Sequence, residues 1–276
     1  MTTTIVPILL YHSVSATPPT WIAPFAVSPR TFATHLDLIA SRGHTVLTVS
    51  ELQEAIERGA PIPRRPLLLT FDDGFADFLQ ASEELTARKL GSTLYVTTGA
   101  LRGRRGADPG LALPPADMLS WSELRTLPDR GVEIGAHTHT HPQLDVLPPR
   151  QASEEIRRSK HLLEDALGRD VRSFAYPHGF HSSGVCRSVR AAGYTSACAV
   201  MNALSSENDR LFALARLTVR ADTGLDRLRA WLAGSDARVA PFRERTATRA
   251  WRFCRRAQAR GAGGPVTRLA ARLPHP

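Results

Sequence analysis

Asp72-Asp73-Gly74 follows directly on the apolar run Leu67–Phe71. Two adjacent carboxylates at the end of a buried strand suffer desolvation and mutual repulsion, and a nearby cation relieves both. On its own the triplet also reads as an ordinary turn leading into a helix N-cap. A second cluster shifts the balance. His137, His139 and His141 fall within five residues, just past the short β-type run Val132–Gly135. Three histidines at a strand end are poor core packing. One helical turn would bring His137 and His141 to the same side, with His139 directed elsewhere, to a supporting or surface position. The two clusters together suggest two imidazoles and a carboxylate around a metal ion, with open positions for water.

The elements that must position these residues alternate between strand and helix patterns. Strand-like runs fall at Ile5–Tyr11, Thr45–Val49, Leu67–Phe71, Thr93–Thr97, Val132–Gly135, Val171–Tyr176, Thr195–Val200 and Leu214–Val219. Between them, Ser28-Pro29 opens a helix that Gly43 closes, and Ser50 with Gln53 forms a capping box for the next. Further helices are predicted over Phe75–Leu90, from Ser120, over Pro149–Leu167, near Ser183–Ala192 and near Leu225–Ala233. Residues 101–119, rich in Gly, Pro and Arg, read as a long surface loop. Its Arg102, Arg104 and Arg105 are candidates to face an acidic or phosphorylated ligand over the substrate groove; a disordered spacer is the alternative. Such alternation implies an α/β fold: a mostly parallel sheet of about seven strands, closed or nearly closed into a (β/α) barrel. Barrels of this kind carry their sites at the C-terminal strand ends, where both polar clusters lie.

Composition narrows the function classes. At 276 residues and 42% hydrophobic the chain has enough material for a full core, and no run approaches a membrane span. Three scattered cysteines make no disulfide framework, and the N-terminus lacks the basic region of a signal peptide, so a cytoplasmic location is expected. The formal net charge is +9, but the segment from Pro241 onward holds nine arginines against one glutamate and leaves only +1 for the first 240 residues. A nearly neutral body argues against nucleic-acid binding. We therefore divide the chain into a catalytic barrel, residues 1–236, and a basic C-terminal tail, residues 237–276.

Thr70-Phe71-Asp72-Asp73-Gly74 and His137-Thr138-His139-Thr140-His141-Pro142 resemble the first two motifs of the polysaccharide deacetylase family, the NodB-like carbohydrate esterases. The resemblance extends over roughly residues 5–235. It implies a distorted (β/α) barrel and metal-dependent removal of an N-acetyl group from an amino sugar. By the same resemblance Asp73, His137 and His141 hold the metal and Asp72 is the general base. The donor set suits zinc, with cobalt, nickel or iron as other occupants. The third motif is altered: Ala175-Tyr176-Pro177-His178-Gly179 has alanine in place of the family's arginine and histidine in place of its aromatic residue. Tyr176 and His178 are read as substrate-binding, with the backbone N–H of residue 178 as an oxyanion donor. Arg216 is the candidate to replace the missing arginine and orient Asp72; an ordinary surface arginine is the alternative. No Asp–Trp pair of the fourth motif is found. The Leu-x-His of the fifth is absent near the C-terminus but present as Leu10-Tyr11-His12. That placement resembles a circularly permuted branch, the deacetylases of exopolysaccharide biosynthesis, and makes His12 the candidate general acid.

In the tail, Ala247, Ala250, Trp251, Cys254 and Ala257 fall at helical spacing, with arginines over much of the remaining surface. A basic amphipathic helix of this kind suits peripheral contact with an anionic membrane at its cytoplasmic face, or docking on the barrel. The leading expectation is a metal-dependent N-deacetylase acting on an amino-sugar glycan, glycolipid or glycosylated intermediate. The alternatives are a deformylase or other amide hydrolase of a modified sugar, and a non-catalytic glycan- or membrane-surface-binding protein.

Overall fold

The computed structural model describes residues 3–103, 108–243 and 246–261. In chain order its elements are β1 (Ile5–Val6), β2 (Ile8–Tyr11), β3 (Ser13–Val14), β4 (Ala26–Val27), α1 (Pro29–Ser41), β5 (Thr45–Leu47), α2 (Val49–Glu57), β6 (Pro66–Phe71), α3 (Phe78–Ala87) and β7 (Ser92–Val96). There follow α4 (Trp121–Thr126), β8 (Val132–Ala136), α5 (Pro149–Leu167), β9 (Ser173–Ala175), α6 (Ser183–Ala191), β10 (Ser196–Cys198), β11 (Ser205–Ser206), β12 (Leu217–Thr218), α7 (Leu225–Leu232) and α8 (Thr246–Gly261).

Seven strands line up in the order β10-β9-β8-β7-β6-β2-β12, each neighbouring pair parallel, and β5 pairs with the first half of β6. The two ends of this sheet meet through the segment that leads into β12. There Leu214 N–H donates to Ala197 O and Ala199 N–H donates to Leu214 O, both at 2.9 Å. The result is a distorted, nearly closed barrel. Alternation along β6 sorts its side chains. Leu67, Leu69 and Phe71 pack outward in the large core shared with the helices, whereas Leu68 joins Tyr95, Ala175, Cys198 and Leu214 in a smaller inner cluster.

Aromatic rings fix the ends of the two strands that carry the site. Tyr11 stacks on Phe71 at 5.3 Å and meets Phe32 of α1 edge-on at 5.4 Å, and Phe71 meets Phe78 of α3 at 4.7 Å. Each such pair contributes about 0.5–1.5 kcal/mol beyond its buried area. They hold α1 and α3 against β2 and β6 one residue before His12 and Asp72.

The structure departs from the sequence reading at several boundaries. The first strand breaks at Pro7, whose ring removes a ladder donor. Its first part turns to pair antiparallel with β11. The capping box before α2 is Thr48 with Glu51, two residues earlier than predicted, because Thr93 and Glu133 take the Val49 and Ser50 amides. The segment 101–119 is no simple surface loop, since Leu101, Leu113, Met118 and Leu119 are buried and Phe75 bridges Met118. Arg102 is used structurally, donating to Met118 O and to Glu123, while Arg104 and Arg105 lie outside the described residues.

His35 on α1 is fully buried, with Nδ1 3.1 Å from the Tyr11 hydroxyl and no hydrogen-bond partner at Nε2. Burial pushes its pKa from the ordinary 6.5 down to about 4. The unfolded chain therefore takes up a proton that the folded one refuses. Stability is full above pH 6.5, falls as pH drops toward 4 and levels off below, for a total of about 3 kcal/mol. Chemical denaturation across this range should show a shallower acid decline for His35→Gln than for the parent. Equal slopes would remove His35 from the account of acid lability.

Candidate active site

Asp72, Asp73, His137, His141, His12 and His178 line a single groove of about 1960 Å³ at the C-terminal ends of the strands. Asp72 continues β6, and its amide donates to Tyr11 O at 3.1 Å. Strict alternation would turn the next side chain away from the barrel. Asp73 instead adopts φ +76°, which allows both neighbouring carboxylates to face the groove. Thr138, His141 and His178 also have positive φ. Left-handed backbone at non-glycine residues costs on the order of 1–3 kcal/mol each, and its concentration here marks a site the surrounding fold holds in place.

One oxygen each from Asp73 and one nitrogen each from His137 and His141 lie within 4.8 Å of one another. His141 Nε2 is 3.3 Å and His137 Nε2 3.6 Å from Asp73 Oδ1. The two histidines are not joined by a helical turn. Residues 137–141 form an irregular turn closed by the Thr138 hydroxyl, which accepts from the His141 amide at 3.0 Å. Glu155 of α5 clamps this turn through the amides of His139 and Thr140 and the Thr140 hydroxyl. His139, expected at a supporting or surface position, is buried: it pairs with Thr98 Oγ1 at 2.8 Å and Asp108 Oδ2 at 3.0 Å.

The donor set fits a divalent ion. His137 Nδ1 lies 2.8 Å from Ala175 O, so it carries the proton and leaves the Nε2 lone pair facing Asp73. Asp73 Oδ1 is buried without a hydrogen-bond partner, a costly state for an anionic oxygen that a cation corrects. Burial pushes the Asp73 carboxyl up, yet His141, His12 and His137 around it hold it well below the usual range. Burial keeps His137 neutral, with its pKa lowered to about 4, as a metal ligand requires.

Arg216 lies inside the barrel, fully buried, and meets Asp72 fork to fork: Nη1 to Oδ1 and Nη2 to Oδ2, each 2.7 Å. Ala199 O accepts from its Nε at 3.1 Å, and Thr70 Oγ1 lies 3.3 Å from Nη1. Burial pushes Asp72 upward, but Arg216, helped by His137, outweighs it and keeps the carboxylate ionised. His12 is half-buried at the end of β2, with its ring 5.4 Å from Phe25. Burial lowers its pKa against the pull of Asp73 and Asp72.

The altered third motif splits. His178 is exposed in the groove, with its ring 4.8 Å from that of His141. A Cβ at Gly179 would lie 2.4 Å from Val200 N, so this turn requires glycine. Tyr176 does not reach the groove. Its ring is fully buried beside Phe174, and its hydroxyl donates to Phe212 O at 2.9 Å, which corrects the substrate-binding assignment of its side chain.

The basic helix α8 docks beside the groove. Its face is not the predicted one, since Cys254 and Ala257 are exposed and Arg255 and Arg256 turn inward. The cause is Asp145, whose fully buried carboxylate accepts from Arg255 Nη2 and, at 2.9 Å, from Arg256 Nε. Trp251, a member of the predicted apolar spacing, does pack inward, its ring 5.6 Å from that of Phe180. Asp145→Ala should release this helix, weakening its docking by on the order of 2 kcal/mol. Hydrogen exchange at the α8 amides should then accelerate roughly thirtyfold, while unchanged protection would show that the arginine contacts do not hold it.

Sequence reasoning missed Glu155 and Asp145, which carry no motif and act through tertiary contacts alone. Trp21 and Phe25, which also line the groove, had a readable signal: aromatic residues in a Pro-rich loop just past a strand-end histidine.

A nearly closed, mostly parallel barrel of this kind is the NodB-type deacetylase fold. It is shared with the Streptococcus pyogenes deacetylase PplD in complex with acetate (TM-score 0.73, 23% identity, 84% of this chain and 99% of that one). IcaB from Ammonifex degensii also matches (TM-score 0.70, 24% identity, 83% and 97%). The chain belongs to the family described as Polysaccharide deacetylase, which matches residues 59–197, just over half of it. Among curated proteins, Bacillus subtilis (strain 168) YxkH, provisionally named a polysaccharide deacetylase, is 23% identical over 214 residues, covering 77% of this chain and 71% of the relative. Family membership supports carbohydrate deacetylation. No helix of the described residues is long and apolar enough to cross a membrane.

Proposed function

We propose that this protein is a divalent-metal-dependent hydrolase that removes N-acetyl groups from an N-acetylamino sugar in a glycan, glycolipid or glycosylated intermediate. The observation that carries this reading is the buried Asp73–His137–His141 cluster beside an Asp72 locked by Arg216. Zinc suits these donors, and cobalt, nickel or iron fit the same set. When bound, such an ion supplies Lewis-acid polarisation of the amide carbonyl and lowers the pKa of water. Asp72 accepts the proton of the attacking water, and Arg216 fixes which carboxylate edge faces it. The backbone N–H of His178 donates to the developing oxyanion, a role that tolerates the histidine side chain. His12 delivers a proton to the sugar nitrogen, which cannot leave as an anion at neutral pH. The products are acetate and a free amine. Three cysteines, none of them paired, suit a reducing, cytoplasmic setting.

The test is acetate release from N-acetylglucosamine oligosaccharides and a lipid-linked N-acetylhexosamine, by chelated protein and by protein restored with zinc or cobalt. His12→Ala separates the acid from the other groups. It should cost roughly 10²–10⁴-fold on the amide but much less on an aryl acetate, whose phenolate leaves without a proton. Equal losses on both substrates would assign His12 a structural role.

A further inference from the structure

Among the described residues four arginines line the groove, and they come from separate parts of the chain: Arg187 on α6, Arg220 just past β12, Arg238, and Arg252 on α8. The acidic residues lining the same groove are Asp72, Asp73 and Asp145. All three are buried and already engaged: Asp72 by Arg216, Asp73 by the histidine cluster, and Asp145 by Arg255 and Arg256. Among the described residues no further carboxylate lines the groove.

The cations are not a by-product of a basic body, because the first 240 residues carry a net charge of only +1. Arg187 and Arg238 are exposed, and Arg238 stacks on Phe242 at 3.9 Å. Arg220 lies over the Phe25 ring at 4.9 Å, and that ring is in turn 5.4 Å from His12, so a positive charge stands one aromatic ring away from the candidate acid. Its acidic neighbour Asp222 is 3.5 Å away with a side chain 79% exposed, a pairing that solvent weakens. A concave surface lined by one sign of charge concentrates field and draws in ligands of the opposite sign.

We propose that the groove selects a glycan carrying an anionic group, a carboxylate or a phosphate, near the N-acetylated sugar, with Arg187, Arg220 and Arg238 as the residues that recognise it. This rests on the deacetylase reading above and names its substrate class. The same arginines repel the ammonium formed on the sugar by deacetylation, which favours release of that product.

The experiment measures kcat/KM of the metal-loaded protein at low and high ionic strength on three probes. These are a neutral N-acetylglucosamine tetrasaccharide, a heparosan tetrasaccharide whose N-acetylglucosamine alternates with glucuronate, and an N-acetylglucosamine oligosaccharide bearing a phosphate monoester. The expected result is an advantage of at least roughly tenfold for one or both anionic probes, shrinking as salt rises. The advantage should collapse in an Arg187→Gln/Arg220→Gln/Arg238→Gln variant. Comparing the two anionic arms tells carboxylate from phosphate. Equal rates on all probes, a preference for the neutral one, or a preference insensitive to both salt and the variant would overturn the inference and leave the deacetylase reading standing. If no probe releases acetate, calorimetric binding to the Asp72→Asn variant separates the two ideas. Tighter binding of anionic probes keeps the charge selection and rejects the activity, and binding that ignores charge rejects the selection as well.

Discussion

Asp72→Asn is expected to lower acetate release by roughly 10²–10⁴-fold, the usual contribution of a positioned general base. The amide is nearly isosteric and keeps an oxygen that accepts from Arg216, but it has no basic site for the proton of water. The loss should fall on kcat with KM little changed, because the group acts as the transition state forms. The substitution leaves Asp73, His137 and His141 intact, so metal uptake should persist. It also leaves the buried Arg216 without a counter-ion, and some stability will go with it. Near-UV circular dichroism at a temperature where the variant is folded separates the two effects, and Asp72→Glu, which keeps the charge, serves where folding fails. A folded Asp72→Asn that retains activity within a few-fold would exclude Asp72 as the base.

Arg216 carries the second large expectation. Replacing it with methionine removes a cation from a site where two parallel hydrogen bonds of 2.7 Å hold a buried carboxylate. The abandoned Asp72 should cost on the order of 3–5 kcal/mol, read by urea denaturation. The double variant Asp72→Asn/Arg216→Met should recover part of that loss, since no ionised group is then left unpaired. Arg216→Lys keeps the charge but not the planar fork, so Asp72 is free to rotate; kcat should drop roughly 10–100-fold in a protein that still folds. An Arg216→Met variant as stable as the parent would contradict the pairing. A fully active Arg216→Lys variant would contradict its positioning role.

The sequence was most informative where chemistry is local. The barrel's strands and helices follow from the alternation of apolar periods, and α5 runs over the predicted Pro149–Leu167. The Asp72-Asp73 and His137–His141 groups are legible because strand-end carboxylates and clustered histidines are costly unless used. Geometry decided by backbone strain was not legible. Positive φ at Asp73 and His141 is ordinary at glycine and leaves no trace in an aspartate or a histidine, so the turn at 137–141 looked helical. Interactions across long sequence separations were equally hidden. Nothing near Asp145 announces that α8 would dock on it, so the hydrophobic spacing of that helix pointed to the wrong face. Tyr176 shows the converse: it sits inside a motif, yet strand alternation turns its ring into the core.

A carbohydrate deacetylase whose metal is held by Asp73, His137 and His141 must lose activity with that metal. The measurement that tests this most directly is a titration of chelated protein with zinc or cobalt, following acetate release from an N-acetylated oligosaccharide against metal bound. The expected result is no release without metal, a rise in proportion to occupancy, and a plateau at about one equivalent, the capacity of a single three-ligand site. Release that survives chelation, or a protein that takes up no metal at all, would contradict it.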